Sequence, residues 1–158
     1  MKRYFCFIAL FLFISAIPTF AQDEAQIKKE LQEKYMAFLK EEGFSPTIDS
    51  DGDVKFKNEG NIFYLRPTTD KKYFEVLRIL TDDNSDKFVS LLKSSNVTMK
   101  EFRLIRIIIY ENSNEGFVVH FRSDNYLGEE EDFKKIFYRS LNVITSSIDF
   151  FKEDYLKK

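Results

Sequence analysis

Alternation of apolar and polar positions is clearest in residues 101–122, EFRLIRIIIYENSNEGFVVHFR. Two runs with a period of two are joined by a polar loop containing Asn and Gly, which is the pattern of a β-hairpin. The runs carry large apolar residues at alternate positions, namely Ile105, Ile107, Ile109, Phe117, Val119 and Phe121. These two sets share one face of a sheet if Tyr110 lies near Val118 and Arg106 near Arg122, and we predict that register.

The opposite face of this hairpin is mixed, with both apolar and basic side chains. Its residues are Leu104, Arg106, Ile108, Tyr110, Val118, His120 and Arg122. Such a face is more apolar than a purely solvated one needs to be, which is typical of interaction surfaces. We therefore predict that these residues form the contact surface for a protein or peptide partner.

Apolar residues at helical spacing predict three helices. The first spans residues 23–42 and ends at Gly43, where a left-handed residue would stop it, with Phe44 turning back. The second is short, spans residues 85–95 and carries Phe88, Leu91 and Leu92. The third spans about residues 129–157, and acidic residues at its start suit the helix dipole. Its apolar stripe is Phe133, Ile136, Phe137, Leu141, Ile144, Ile148, Phe151 and Tyr155.

Four further strands are predicted between the first two helices, at residues 45–49, 54–57, 62–66 and 73–80. The last of these is ambiguous, because YFEVLRIL also fits one face of a helix. We favour a strand with Phe74, Val76 and Leu80 facing inward, since the run is short and a polar break follows it.

Three alternating aspartates in residues 49–53 raise the question of a calcium site. An EF-hand loop needs a glycine after the third acid and a glutamate at its twelfth position. Here Gly52 precedes the third acid, and no helices are predicted on either side. We favour a hairpin turn, because Asp-Gly between extended runs is a strong turn signal.

The predicted order is helix, four strands, helix, two strands, helix. Hairpin-linked strands and segregated helices indicate an α+β domain with an antiparallel sheet of about six strands and helices on one face. The first and last helices are expected to cover the face that carries Ile105, Ile107 and Ile109. A chain of 158 residues suffices for one such domain and one core.

Residues 1–21 have the layout of a secretory signal peptide. Lys2 and Arg3 precede an apolar run, and a T-x-A pattern ends at Ala21; an uncleaved anchor is the alternative. Cleavage after Ala21 would leave residues 22–158 as a single domain, without Cys6, and would change the net charge from −2 to −4 by removing two cations. We expect a bacterial periplasmic or secreted protein, without a nucleic-acid partner or stable membrane insertion.

Three stretches resemble the YbjN-like family, which has the type III secretion chaperone-like fold. They are GFSPTIDSDGDVKFKNEGNIFYL at residues 43–65, DKKYFEVLRIL at residues 70–80, and the final hairpin with its long helix. The resemblance covers nearly all of residues 22–158. It implies a binding module or chaperone, often dimeric, with no catalytic residues to transfer, although an exported chain would not serve as a cytoplasmic secretion chaperone.

No catalytic motif accompanies these elements. His120 is the single histidine, so it cannot form a metal cluster alone, and G-x-S-x-G, H-E-x-x-H and P-loop motifs are absent. Glu75 is the one acid inside a predicted strand. Arginines in predicted strands could hold carboxylates or phosphates, although a solvated sheet face is the simpler explanation; they are Arg66, Arg78, Arg106 and Arg122.

Together these observations predict an exported, non-catalytic binding protein without a cofactor or metal, which recognises a protein or peptide partner through a sheet face. The alternative is a hydrolase of an envelope polymer that uses strand carboxylates such as Glu75, which would need a cleft and a second acid.

A homodimer through the mixed hairpin face is also expected, because small domains without disulfides often gain stability by association.

Overall fold

A computed structural model describes residues 19–82, 87–112, 116–128 and 132–157. Its elements are α1 (Thr19–Glu41), β1 (Thr47–Ile48), β2 (Val54–Asn58), β3 (Asn61–Arg66), β4 (Tyr73–Asp82), α2 (Phe88–Glu101), β5 (Arg106–Asn112), β6 (Gly116–Tyr126) and α3 (Phe133–Leu156). The predicted α+β class and element order are confirmed. Residues 1–18, which make up most of the predicted signal peptide, are not among the described residues, so the signal peptide stays a prediction.

The six strands form one antiparallel sheet in the order β1-β2-β3-β4-β6-β5. The hairpin register is the predicted one, because Arg106 pairs with Arg122 and Tyr110 pairs with Val118. Strand β4 is central, and its consecutive residues 74–78 are all buried, so both faces are covered there. The preference for a strand over a helix in this segment is therefore confirmed, and the double burial explains why its pattern lacks alternation.

All three helices pack on one face of the sheet, which we call the covered face. Helix α1 packs against β2, α3 lies over β4 and β6, and α2 packs against α3 and β5. We predicted that the first and last helices cover the face that carries Ile105, Ile107 and Ile109. That prediction was incomplete, because α2 also packs against β5. Among the described residues, no helix is long and apolar enough to cross a membrane.

Aromatic side chains fill the space between the sheet and the helices. The ring of Phe137 in α3 lies 5.1 Å from Phe38 of α1 and 5.6 Å from Phe56 of β2. Phe56 stacks on Phe63 of β3 at 5.9 Å. A fully buried phenylalanine contributes about 3–5 kcal/mol relative to alanine, so this cluster fixes both long helices to the sheet.

The predicted end of α1 is confirmed in detail. Gly43 has a positive φ of 87°, its N–H donates to the carbonyl of Lys40, and the Phe44 N–H donates to the carbonyl of Leu39. This pair of bonds is a Schellman motif. It turns the chain so that the ring of Phe44 packs 5.2 Å from Phe56.

The acidic segment at residues 49–53 is a hairpin turn, as predicted. The Asp49 carboxylate accepts backbone N–H bonds from Asp51 and Asp53 at 3.0 and 2.9 Å, and Gly52 has φ 84°. The Asp49 oxygen is thus used to hold the turn. Within the described ranges, no group of three or more His, Cys, Asp or Glu side chains is placed to hold a metal ion.

The second helix differs most from its prediction. It runs on to Glu101 instead of ending near residue 95, and residues 83–86 lie outside the described part of the chain. Of its predicted apolar stripe only Leu91 is buried, whereas Phe88 and Leu92 are each 41% exposed. The apolar spacing correctly predicted a helix here, but it did not show which side of that helix faces the core.

Candidate functional site

The sheet face opposite the helices, which we call the open face, carries most of the predicted contact surface. Ile108 pairs with His120, as do Tyr110 with Val118 and Arg106 with Arg122. Because cross-strand partners share a face, these six side chains lie together. Leu104 precedes β5 in a turn, where it is 58% exposed and outside the sheet.

Tyr110 and His120 mark the apolar end of this surface. The two rings meet edge to face with centroids 4.9 Å apart, and Tyr110 is 48% exposed. Burial lowers the pKa of His120, and the nearby charges of Arg66 and Arg122 lower it further. A neutral imidazole beside a tyrosine and Ile108 makes this end of the face a surface for apolar and hydrogen-bonding contacts.

Next to the apolar end lies a line of alternating acids and arginines, which we call the charged row. It comprises Asp53, Arg66, Glu75, Arg122, Asp124 and Arg106. The sheet register brings them together: Glu75 pairs with Arg66 on one side and with Asp124 on the other. The row contains three acids and three arginines, so its net charge is zero.

The first half of the charged row centres on Arg66. Its Nε and Nη2 both donate to Asp53 Oδ2, at 3.0 and 2.9 Å, and Nε also lies 3.3 Å from Oδ1, so two guanidinium nitrogens bind one carboxylate. The hydrogen bonds to Asp53 raise the pKa of Arg66. Its third nitrogen, Nη1, is 3.6 Å from Glu75 Oε2, which is too long for a hydrogen bond.

The second half centres on Arg122. Its Nη2 lies 2.8 Å from Glu75 Oε1, while its Nε donates to Asp124. Arg106 Nη2 lies 2.8 Å from Asp124 Oδ2 and extends the row to the edge strand. The predicted residues Arg106 and Arg122 are therefore both held by carboxylates that the sequence interpretation did not assign to this face.

Glu75 is the group of the charged row that has a buried oxygen without a hydrogen-bond donor in the described part of the chain. Its side chain is only 9% exposed, and Oε2 is a buried polar atom without a hydrogen-bond partner among the described residues. Burial raises the pKa of Glu75, and Arg122 opposes the rise. A buried oxygen without a donor costs free energy, and the cationic Arg66 Nη1, which is 3.6 Å away, offsets this cost only in part.

Asp53 and Asp124 were missed in the sequence. Asp53 was explained as a turn residue, and Asp124 was not considered. The signal that could have found Asp124 is strand parity, because Asp124 continues the alternation of His120 and Arg122 along β6.

Arg78 does not belong with the other strand arginines, because it lies on the covered face. Its Nη2 donates to Asn61 Oδ1 at 2.6 Å, and its guanidinium lies 5.6 Å from the centroid of the Phe63 ring. Arg78 shares its face with Phe74 and Val76, as strand parity requires. The anion-holding role considered for all four arginines therefore has no geometric basis at this position.

A cavity of about 310 Å³ adjoins the Asp53 end of the charged row. It is lined by Lys28, Gln32, Asp51, Gly52, Asp53, Arg66 and Pro67. Glu75 is absent from this lining and from those of the other two described cavities, of about 450 and 140 Å³. Glu75 and its neighbouring acid Asp124 thus do not share one of these clefts, which a hydrolase would need.

A comparison with protein-family models finds no match, and a comparison with curated proteins finds none. Among solved structures, an uncharacterised protein from Methanothermobacter thermautotrophicus is similar at 10% identity and a TM-score of 0.59, covering 80% of this chain and 96% of that one. YbjN from E. coli is similar at 6% identity and a TM-score of 0.55, covering 79% and 88%.

The type III secretion chaperone SycH from Yersinia pestis, solved with a fragment of YscM2, is more distant. It is 14% identical with a TM-score of 0.44, covering 80% of this chain and 98% of that one. At such identities a likeness shows the fold alone. The match with YbjN confirms the fold that the sequence resemblance implied.

Proposed function

We propose that this chain is an exported binding protein without catalytic activity, which recognises a protein or peptide partner through the open face of its sheet. The observation that carries the proposal is the apolar end of this face, where Tyr110 is 48% exposed beside Ile108 and Val118. A sheet buries its apolar face against a second layer. Because the helices all pack on the covered face, a partner would supply that second layer.

The charged row adds specificity to this proposal. Its arginines already have carboxylate partners, so a simple anion would have to compete with Asp53, Glu75 and Asp124. Glu75 Oε2 lacks a donor within the described chain but is buried, whereas Arg106 at the edge of the row has a side chain that is 57% exposed. Polar groups of a partner would therefore meet the row at Arg106, while apolar partner side chains contact Tyr110 and Ile108.

The second candidate function is hydrolysis of an envelope polymer. It is favoured by the cross-strand pairing of Glu75 with Asp124 and by the raised pKa of Glu75, since paired carboxyls perform acid–base chemistry. Against it, Arg122 bridges both carboxylates, and none of the described cavities includes Glu75. Binding is therefore the function that the geometry supports best.

Partner capture tests the proposal. We expect the double variant Ile108→Asp and Tyr110→Asp to lose the envelope proteins that the wild-type chain retains, because two carboxylates would have to be buried in the contact. Leu156→Asp is a matched control, since Leu156 is 80% exposed at the end of α3 and belongs to neither face of the sheet. Recovery of the same proteins by the wild type and the double variant, with both folded by circular dichroism, would rule out this face.

Export has its own measurement. Mass spectrometry of the chain isolated from its source should find a mature N-terminus at Gln22. A membrane-bound protein that retains Met1 would contradict this part of the proposal.

A further inference from the structure

Helix α2 exposes most of its large apolar side chains to solvent and buries small hydroxyl side chains instead. Val89, Leu92 and Val97 are 59%, 41% and 40% exposed. The buried side consists mainly of small hydroxyl residues, with Leu91 as its one large member. In an ordinary surface helix the apolar stripe faces the core, so the exposed valines and leucine call for a separate explanation.

The buried side of α2 explains how the helix holds its place without these residues. Ser95 Oγ donates to the Leu91 carbonyl at 2.7 Å, and Thr98 Oγ1 donates to the Ser94 carbonyl at 2.8 Å. The hydroxyls are thus satisfied within the helix, and short side chains let α2 pack closely against α3. The fold does not need Val89, Leu92 or Val97, and exposed valines slightly weaken a helix.

Lysines accompany the exposed apolar residues on the same side. Lys93 and Lys100 are exposed, and at 100° per residue they lie between Val89 and Val97 around the helix. Neither lysine has an ion-pair partner among the described residues. Glu101 is the one acid in the described helix, so the outward side combines apolar contacts with a net positive charge.

These features determine the chemistry of a partner. An apolar surface flanked by unpaired lysines is complementary to a segment that carries apolar and acidic side chains. A second copy of this chain would bring Lys93 and Lys100 against the same lysines across a two-fold axis. Like charges at that contact disfavour self-association through α2.

We propose that the outward side of α2, comprising Val89, Leu92, Lys93, Val97 and Lys100, is a docking surface for an acidic amphipathic segment of another protein. The mode would be a helix laid across a helix, with apolar anchors at the centre and carboxylates meeting the lysines at the rim. Helix α2 packs on the covered face. The surface is therefore separate from the open face, and the inference does not depend on the function proposed above.

Site-specific photo-crosslinking tests this proposal. A benzophenone amino acid replaces Asn96, which is exposed in the middle of the surface, in the full chain produced in its source cells. We expect an adduct with a segment of another protein that is rich in acidic and apolar residues. The same label at Lys57, exposed in β2, is the positional control and should not yield that adduct.

Charge reversal makes the test specific. Lys93→Glu combined with Lys100→Glu should lower the yield of the adduct at least about tenfold, since the rim would repel an acidic partner, and added salt should lower the wild-type yield. Tyr110→Asp should leave it unchanged. An adduct with α2 of a second copy, with lipid or with a basic segment, or no adduct, would overturn the proposal.

Discussion

Glu75 and Arg78 lie three residues apart on β4 and therefore point to opposite faces of the sheet. Glu75 has Arg122 and Arg66 within ion-pair distance on the open face. Arg78 has a single hydrogen bond, to Asn61, and an aromatic ring beneath it. Burial shifts both groups toward their neutral forms, raising the pKa of Glu75 and lowering that of Arg78.

The raised pKa of Glu75 predicts a pH dependence of stability. The folded state binds a proton more tightly than the unfolded state, so the wild type should gain stability relative to Glu75→Gln as pH falls from 7 toward the ordinary glutamate value of 4.5. Urea unfolding of both proteins at several pH values measures the difference. A wild type that gains no stability relative to Glu75→Gln on acidification, or that loses stability relative to it, would contradict burial as the dominant cause.

At the scale of the element, α2 shows that helical spacing and core-facing direction are separate properties. Its buried side contains Ser94, Ser95 and Thr98, and its outward side contains Val89 and Leu92. Hydroxyl groups can be buried here because the carbonyls of the preceding turn accept their hydrogen bonds. The apolar outward side is consequently free for contacts between proteins.

A pair of substitutions in α2 tests this arrangement. Ser94→Leu should destabilise the protein by about 1–3 kcal/mol, because Ser94 is fully buried and a larger side chain would overpack this site. Leu92→Gln should change the free energy of unfolding by no more than about 0.5 kcal/mol, since the site is exposed and both residues favour helices equally. Chemical denaturation measures both free energies of unfolding. A larger loss of stability in Leu92→Gln would mean that the Leu92 side chain is buried in the core.

At the scale of the molecule, the domain has two layers, and only one face of the sheet is covered by helices. The end of α1 is joined to the start of α3 by Glu42, which follows α1 and whose carboxylate accepts hydrogen bonds from Lys134 and Tyr138 at 2.7 and 2.8 Å. These bonds lower the pKa of Glu42. The open face has no such second layer among the described residues.

The open face leads to a prediction about self-association. If it meets a second copy, purified protein should show twice the mass of one chain in light scattering at micromolar concentrations, because Tyr110 and Ile108 would be buried at a two-fold axis. Tyr110→Asp should restore the mass of one chain, whereas Leu92→Gln on α2 should not. A mass of one chain at all micromolar concentrations would exclude this dimer.

The sequence by itself determined the order of elements, the hairpin register and the turns at Gly43 and Gly52. Each of these depends on residues close together in the chain, through period-two or helical spacing and through the positive φ that glycine tolerates. The inward direction of Phe74 and Val76 followed from the same local pattern.

Only the tertiary structure decided which distant segments meet. Strand β6 lies between β4 and β5, so the charged row draws residues from the β1–β2 turn and from four strands. Spacing alone also could not tell that α2 turns its hydroxyl residues inward, or which carboxylates would meet Arg106 and Arg122. These outcomes depend on long-range packing and on burial, where the free energy of a side chain is set by neighbours far away in the sequence.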